Sequence, residues 1–208
     1  MGRITVACIV EGYGDVEAIP ILVRRVLQES HPDVSLFIPH PPIRVPRMKI
    51  VKDGQLERAV ELAARKTDGP GAILILIDAD EDCPATLAPE LLRRAKAKRS
   101  DRPIAVVLAK REFEAWFLAA AESLRGQRGL SATLEPPGNP EMIQDAKGWL
   151  RGQMTDNRKY SETLDQPALT RLFDLESARR AASFDKLYRD IARLLSELEQ
   201  LGPKESPH

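Results

Sequence analysis

Cysteine, histidine and net charge are scarce in this sequence, and long apolar runs are missing. Only Cys8 and Cys83 occur, with no C-x-x-C spacing, which excludes a disulfide framework and a zinc knuckle. The three histidines, His31, His40 and His208, are scattered, so a histidine-built metal site is not expected. Lys and Arg total 31 against 31 for Asp and Glu. That balance excludes attachment to nucleic acid or an anionic membrane by bulk charge alone. The apolar run near the N-terminus is broken at Glu11, too short for a membrane span and without a signal-peptide layout. The expectation is a cytoplasmic protein with no membrane partner. No G-x-x-x-x-G-K-[ST] motif is found, so the chain carries no P-loop of its own, and no internal repeat is visible.

What the sequence does hold is a globular composition. Its 208 residues are 43% apolar and 30% charged, enough for a real core. ITVACIV (4–10), AILILI (72–77) and IAVVLA (104–109) are β-rich runs of the kind buried on both faces of a parallel sheet. Ser35–Ile38 reads as a further strand, followed by a Pro-rich loop at 39–46. Between them fall helical patterns: Val16 to Leu27, with Pro20 placed near a first turn; Gln55 to Lys66; and a helix opening at Pro84. A stripe from Phe113 to Leu124 follows, with Trp116 and Phe117 on its core side. The alternation predicts an α/β fold: a Rossmann-like, parallel four-stranded sheet with helices on both faces over residues 1–122. A Gly/Pro-rich loop (126–140) then leads to helices expected at 141–151, 167–181 and 184–200, the last capped by Ser183. Residues 123–202 thus form an α-helical C-terminal extension, with a disordered tail at 203–208.

Ligands of such sheets gather beyond the carboxyl ends of the strands. Glu11 follows the first strand, and Asp78, Asp80, Glu81 and Asp82 follow the third. Residues i and i+2 of an extended chain point the same way, placing Asp78 and Asp80 on one face. If the two strands are neighbours, about 4.8 Å apart, the carboxylates converge and resist ionising together. A hard divalent cation removes that conflict, and Mg²⁺ uses one or two carboxylates plus substrate phosphate. The run 78–82 alone also fits a solvated loop; its pairing with Glu11 favours a metal site. An EF-hand is excluded because Cys83 and Pro89 stand where that loop needs Gly and Glu. Gly12-Tyr13-Gly14-Asp15-Val16-Glu17 departs from the dinucleotide fingerprint at Glu17, and Glu11 would repel a pyrophosphate.

Basic residues gather in two places. Arg44, Arg47, Lys49 and Lys52 lie after the second strand, on the same sheet edge as the acids, and suit phosphate contacts. Arg93, Arg94, Lys96, Lys98, Arg99 and Arg102 read as a solvated helix C-terminus. Lys110 and Arg111 end the fourth strand, where they would neutralise a carboxylate or a phosphate.

IVEGYGD (9–15) and LILIDADED (74–82) resemble the signature of the Toprim superfamily, a strand ending in Glu-Gly followed by one ending in Asp-x-Asp. Cys83-Pro84 and the segment Glu112–Phe117 are similar to a small stand-alone bacterial Toprim-like family of undetermined function, related to the overcoming-lysogenization-defect nucleases. The resemblance spans nearly the whole chain. It implies a Mg²⁺- or Mn²⁺-dependent phosphodiester hydrolase, a nuclease acting on DNA or RNA. Glu11 would be general acid/base or metal ligand, with Lys110 beside it. Asp78 and Asp80, with Asp82 near, would hold the metal, and Glu112 and Glu114 would take a second ion or hold the ligands of the first in place. Arg44, Arg47, Lys49, Lys110 and Arg111 would contact phosphate. The alternative it allows is a non-catalytic or weakly metal-binding regulator working with an ATPase supplied in trans. A homo-oligomer is left open, and Lys159 and Tyr160 match a family motif without a physical role.

Overall fold

Three uninterrupted apolar runs become the three long strands of the sheet. The computed structural model describes residues 3–52, 54–67, 71–155 and 158–201, so the expected tail at 203–208 lies outside the described residues. The first half runs β1 (Ile4–Val10), α1 (Tyr13–Ser30), β2 (Leu36–Phe37), β3 (Ile43–Arg44), α2 (Arg47–Ile50), α3 (Gln55–Arg65), β4 (Gly71–Asp78), α4 (Pro84–Lys98) and β5 (Ile104–Ala109). Helices α5 (Ala115–Ala119), α6 (Ala146–Gly152), α7 (Glu162–Thr170), α8 (Leu175–Ala178) and α9 (Ala182–Leu201) follow.

Among the described residues the named strands all pair in parallel, in the order β2-β1-β4-β5. The sheet has five strands among the described residues rather than the expected four, because β3 forms inside the Pro-rich segment and pairs with the end of β1 through Ile9↔Ile43 and Val10↔Arg44. Two residues bounded by prolines carry no periodicity from which a strand could be read. Side-chain alternation divides the core. Ala7, Ile9, Ile73, Ile75, Ile77, Val106 and Leu108 face α3 and α4. Val6, Cys8, Val10, Leu74, Leu76 and Val107 share the other core with α1 and the helices after 115. The C-terminal helices therefore bury their apolar faces in the same core as the sheet.

Several local expectations are corrected. Pro20 lies inside α1, not in its first turn, since the helix already begins at Tyr13. The helix expected at 141–151 starts at Ala146, where Asp145 accepts from Gly148 N at 2.6 Å, and Pro140–Met142 is a single 3₁₀ turn. The helix expected at 167–181 is two, α7 and α8, the second opened by Asp174 accepting from Ser177 N. Ser183 does not cap α9. Glu141 does, its carboxylate accepting from Ala182 N at 3.2 Å and Ser183 N at 2.9 Å, a charged acceptor at the positive end of the helix. Arg94 is not part of a solvated face. It is buried and donates to the Glu57 carboxylate and to the carbonyls of Val51 and Lys52, tying α4 to α3. Among the described residues, no helix is long and apolar enough to cross a membrane.

Candidate functional site

The register of β1 and β4 sets Val10 against Leu76, so Glu11 and Asp78 emerge side by side at the carboxyl edge of the sheet. Their link is direct: Asp78 N donates to Glu11 Oε2 at 3.2 Å. Burial pushes the Glu11 carboxyl from 4.5 up to about 7; the Asp78 amide works against this, while the charges of Asp80 and Asp15 add to it. Asp78 lies deeper, with Oδ1 accepting from Phe113 N at 2.8 Å. Burial, followed by the charges of Asp15, Glu114 and Glu11, pushes its carboxyl well up, with Lys147 opposing.

Asp80 and Asp82 follow on a loop rather than on the strand. β4 ends at Asp78, and Asp80 adopts φ 49°, so the alternation of an extended chain stops before it applies to Asp80. Arg111 also has positive φ, 67°, and its carbonyl accepts from Asp80 N at 3.1 Å. Non-glycine residues held in this region mark backbone that its surroundings force into place. Arg47, expected to meet phosphate, is spent on this loop instead. It donates to the carbonyls of Asp78 (3.0 Å) and Ala79 (3.1 Å), lies 3.5 Å from Asp80 Oδ2 and pairs with Asp82. Arg44 stacks on Tyr13 and donates to its hydroxyl and to the Glu11 carbonyl. Arg111 pairs with Glu81, and Lys49 is exposed.

Glu112 and Glu114 do reach the same edge, where Lys147 meets them. Lys147 Nζ is 3.5 Å from Glu112 Oε1, 3.5 Å from Glu114 Oε2 and 3.8 Å from Asp78 Oδ2. Burial opposes this ammonium's charge, but Glu114, Asp78, Glu112 and Glu162 outweigh it and push its pKa up. Burial raises Glu114 from 4.5 to about 7 against the pull of Lys147 and of the Tyr160 hydroxyl, which donates to Oε1 at 2.9 Å. Beside the centre, a cavity of about 780 Å³ runs between α4 and α9. Asp80, Lys110 and the exposed Cys83 stand along it, over an apolar lining that includes Leu92, Val106 and Leu108.

Among the described residues, no group of three or more His, Cys, Asp or Glu side chains is arranged to hold a metal ion. Mg²⁺ asks less than that of a protein, needing one or two carboxylates and completing its shell with water and phosphate oxygen. Glu11 and Asp78 fit this demand. They are neighbouring all-oxygen donors, and both carboxyls are pushed up by burial first and by neighbouring acids after it, a charge that a cation would offset.

A family model described as Domain of unknown function (DUF4276) matches residues 10–192. The chain belongs to this family. No curated protein and no solved structure matches it. The DUF4276 span reaches from the end of β1 into α9 and so contains Glu11, Asp78, Glu114 and Lys147 together.

Sequence reasoning missed several parts of the candidate site. Lys147 had no signal, because its partners come from segments far away in the chain. Asp15 holds Gly12 N at 2.8 Å and accepts from Gln166 Nε2 of α7 at 2.7 Å. The glycines that resemble a dinucleotide loop serve this contact. A Cβ on Gly14 would lie 2.0 Å from Gln166 Oε1 and 2.8 Å from the Glu162 carbonyl. Tyr160, noted without a role, is the hydrogen-bond donor of Glu114.

Glu114 also dictates how stability follows pH. Its folded pKa of about 7 lies above the ordinary 4.5, so its contribution is full below 4.5 and is lost as pH rises through about 7. Metal-free protein is expected to lose about 1 kcal/mol from this group between about pH 6 and pH 8. Glu114→Gln should flatten that slope, measured as urea midpoints across the range; an unchanged slope would refute the assignment.

Proposed function

We propose that this protein is a Mg²⁺- or Mn²⁺-dependent phosphodiester hydrolase, a nuclease acting on DNA or RNA. The observation that carries the reading is the Glu11–Asp78 pair at the ends of adjacent parallel strands, hydrogen-bonded through the Asp78 amide. The Toprim resemblance of IVEGYGD and LILIDADED supports the same chemistry.

Glu11 and Asp78 would hold the ion, with Asp80 near enough to load charge onto Glu11. A divalent ion bound there supplies a Lewis acid for a phosphoryl oxygen and lowers the pKa of a bound water. Where Asp78 alone holds the ion, Glu11 is the residue suited to move a proton, because burial holds its carboxyl at about 7 with no ion bound to it. Lys110 borders both the acidic loop and the cavity, where its charge would meet a phosphate and the apolar wall would take the adjoining part of the substrate. Arg47 acts through the loop it holds.

Purified protein with Mn²⁺ should nick plasmid DNA or degrade single-stranded RNA, and EDTA should stop it. Glu11→Gln should slow the reaction by about 100-fold or more. Mn²⁺ at a hundred times its dissociation constant should add about 2.7 kcal/mol of stability. Cleavage indifferent to Glu11→Gln would sink the reading. A second reading, a regulator that works with an ATPase in trans, draws on the Lys147 ammonium already lodged among the acids. Nucleic-acid binding that persists in EDTA, with no stabilisation by Mn²⁺, would favour it.

A further inference from the structure

We infer that the Lys147 ammonium is the built-in second cation of this centre, so that the protein binds one divalent ion per chain rather than two. The inference rests on the metal-dependent reading above and narrows it. Glu112 and Glu114 are the carboxylates that a second ion would use. Instead, one oxygen of each lies 3.5 Å from Lys147 Nζ, and Asp78 Oδ2 completes the ring at 3.8 Å.

Glu114 is the deciding residue. Its side chain is 1% exposed, Oε1 is taken by the Tyr160 hydroxyl, and Oε2 has no hydrogen-bond partner. A buried carboxylate oxygen in that state needs a positive charge beside it, and Lys147 is the cation placed there.

Lys147 is held at both ends. Its amide donates to Glu112 Oε2 at 3.1 Å, while Asp145 fixes the same turn of α6 through Gly148 N. Gly148 makes this possible, since a Cβ there would fall 2.0 Å from Asp145 Oδ2. A lysine anchored in this way acts as a fixed charge. It repels a divalent ion at its own position and occupies the oxygens that ion would require. Glu11 and Asp78 are left to serve the single ion.

The test counts ions. Wild-type chain titrated with Mn²⁺, and followed by the paramagnetic resonance signal of free Mn²⁺, should take up one ion per chain. Lys147→Met removes the charge while keeping a long side chain, and should admit a second ion whose spectrum shows coupling to the first. Lys147→Arg should stay at one. Should Lys147→Met fail to fold, the double variant Glu112→Gln/Glu114→Gln decides. If those carboxylates serve Lys147, it keeps one ion with affinity within about threefold of wild type, well under one tenfold step. A loss of tenfold or more would make them metal ligands and overturn the inference. Two ions bound by the wild type would also overturn it, yet leave the hydrolase reading standing. No ion bound by the wild type would overturn both.

Discussion

Asp78→Asn is expected to make the metal-free protein more stable and the metal-loaded protein inactive. In wild type the Asp78 carboxyl is half-buried; burial, then the charges of Asp15, Glu114 and Glu11, push its pKa well up, with Lys147 opposing. Asparagine resembles the protonated form. Its oxygen can still accept from Phe113 N, a contact of 2.8 Å in wild type, and it adds no charge to the cluster. Removing a charge that the site disfavours should therefore make the metal-free variant melt above wild type at pH 8. For a chain of this size each kcal/mol moves Tm by about 2–4 °C. The gain should shrink as pH falls, because the wild-type carboxyl then takes up its own proton. Saturating Mn²⁺ should reverse the order, stabilising wild type by about 2.7 kcal/mol at a hundred times its dissociation constant and the variant little. Thermal melts of both proteins with and without Mn²⁺ check this crossing. A variant less stable than wild type in EDTA at pH 8 would show that the carboxylate serves the fold rather than a ligand, as function-related residues held at a cost to stability do not.

The same residues show how far sequence reasoning reaches. β1, β4 and β5 were legible because a strand buried on both faces needs an unbroken apolar run, and each had one. Glu11 and Asp78 followed from those runs, since an acid directly after a buried strand lands on the sheet edge. Asp80 shows where the rule stops: it relies on extended backbone, and φ 49° one residue beyond Ala79 is not extended. β3 was hidden because Ile43 and Arg44 make a strand only by pairing with Ile9 and Val10, a long-range event with no local signature. Arg94 looked solvated within a basic run, yet its partners Glu57, Val51 and Lys52 lie on another segment. Lys147 is the extreme case. Nothing in Asp145-Ala146-Lys147-Gly148 announces a site; the lysine becomes part of one only when α6 docks on the loop that carries Glu112 and Glu114.

Trp116→Ala is expected to produce the largest loss of stability, and to weaken the proposed metal site from a distance. Of the five phenylalanines, all but Phe37 join Trp116 in one aromatic cluster. The indole packs at 4.7 Å from Phe113 and 5.3 Å from Phe184 of α9, between centroids, and is fully buried. Its removal leaves a cavity costing about 4 kcal/mol, a large share of the roughly 5–15 kcal/mol that holds a typical domain. The indole also has a polar task. Trp116 Nε1 donates to Ser183 Oγ at 2.8 Å, and the same oxygen accepts from Lys110 N at 3.2 Å. Ser183 therefore joins the first turn of α9 to the end of β5, where Lys110 borders the cavity and the 110–114 loop begins to carry Glu112 and Glu114 towards Lys147. Trp116→Phe separates the two contributions: it keeps most of the ring packing, loses the donor, and should cost about 1–2 kcal/mol. Urea unfolding gives both values, and Mn²⁺ titration of the still-folded Phe variant reads the coupling. A loss below about 1 kcal/mol for Trp116→Ala would mean the cluster is not what holds the C-terminal helices to the sheet. If instead the Phe variant keeps its fold but binds Mn²⁺ more weakly, the hydrogen bond at Ser183 is the link by which the helical half sets the geometry of the acidic edge.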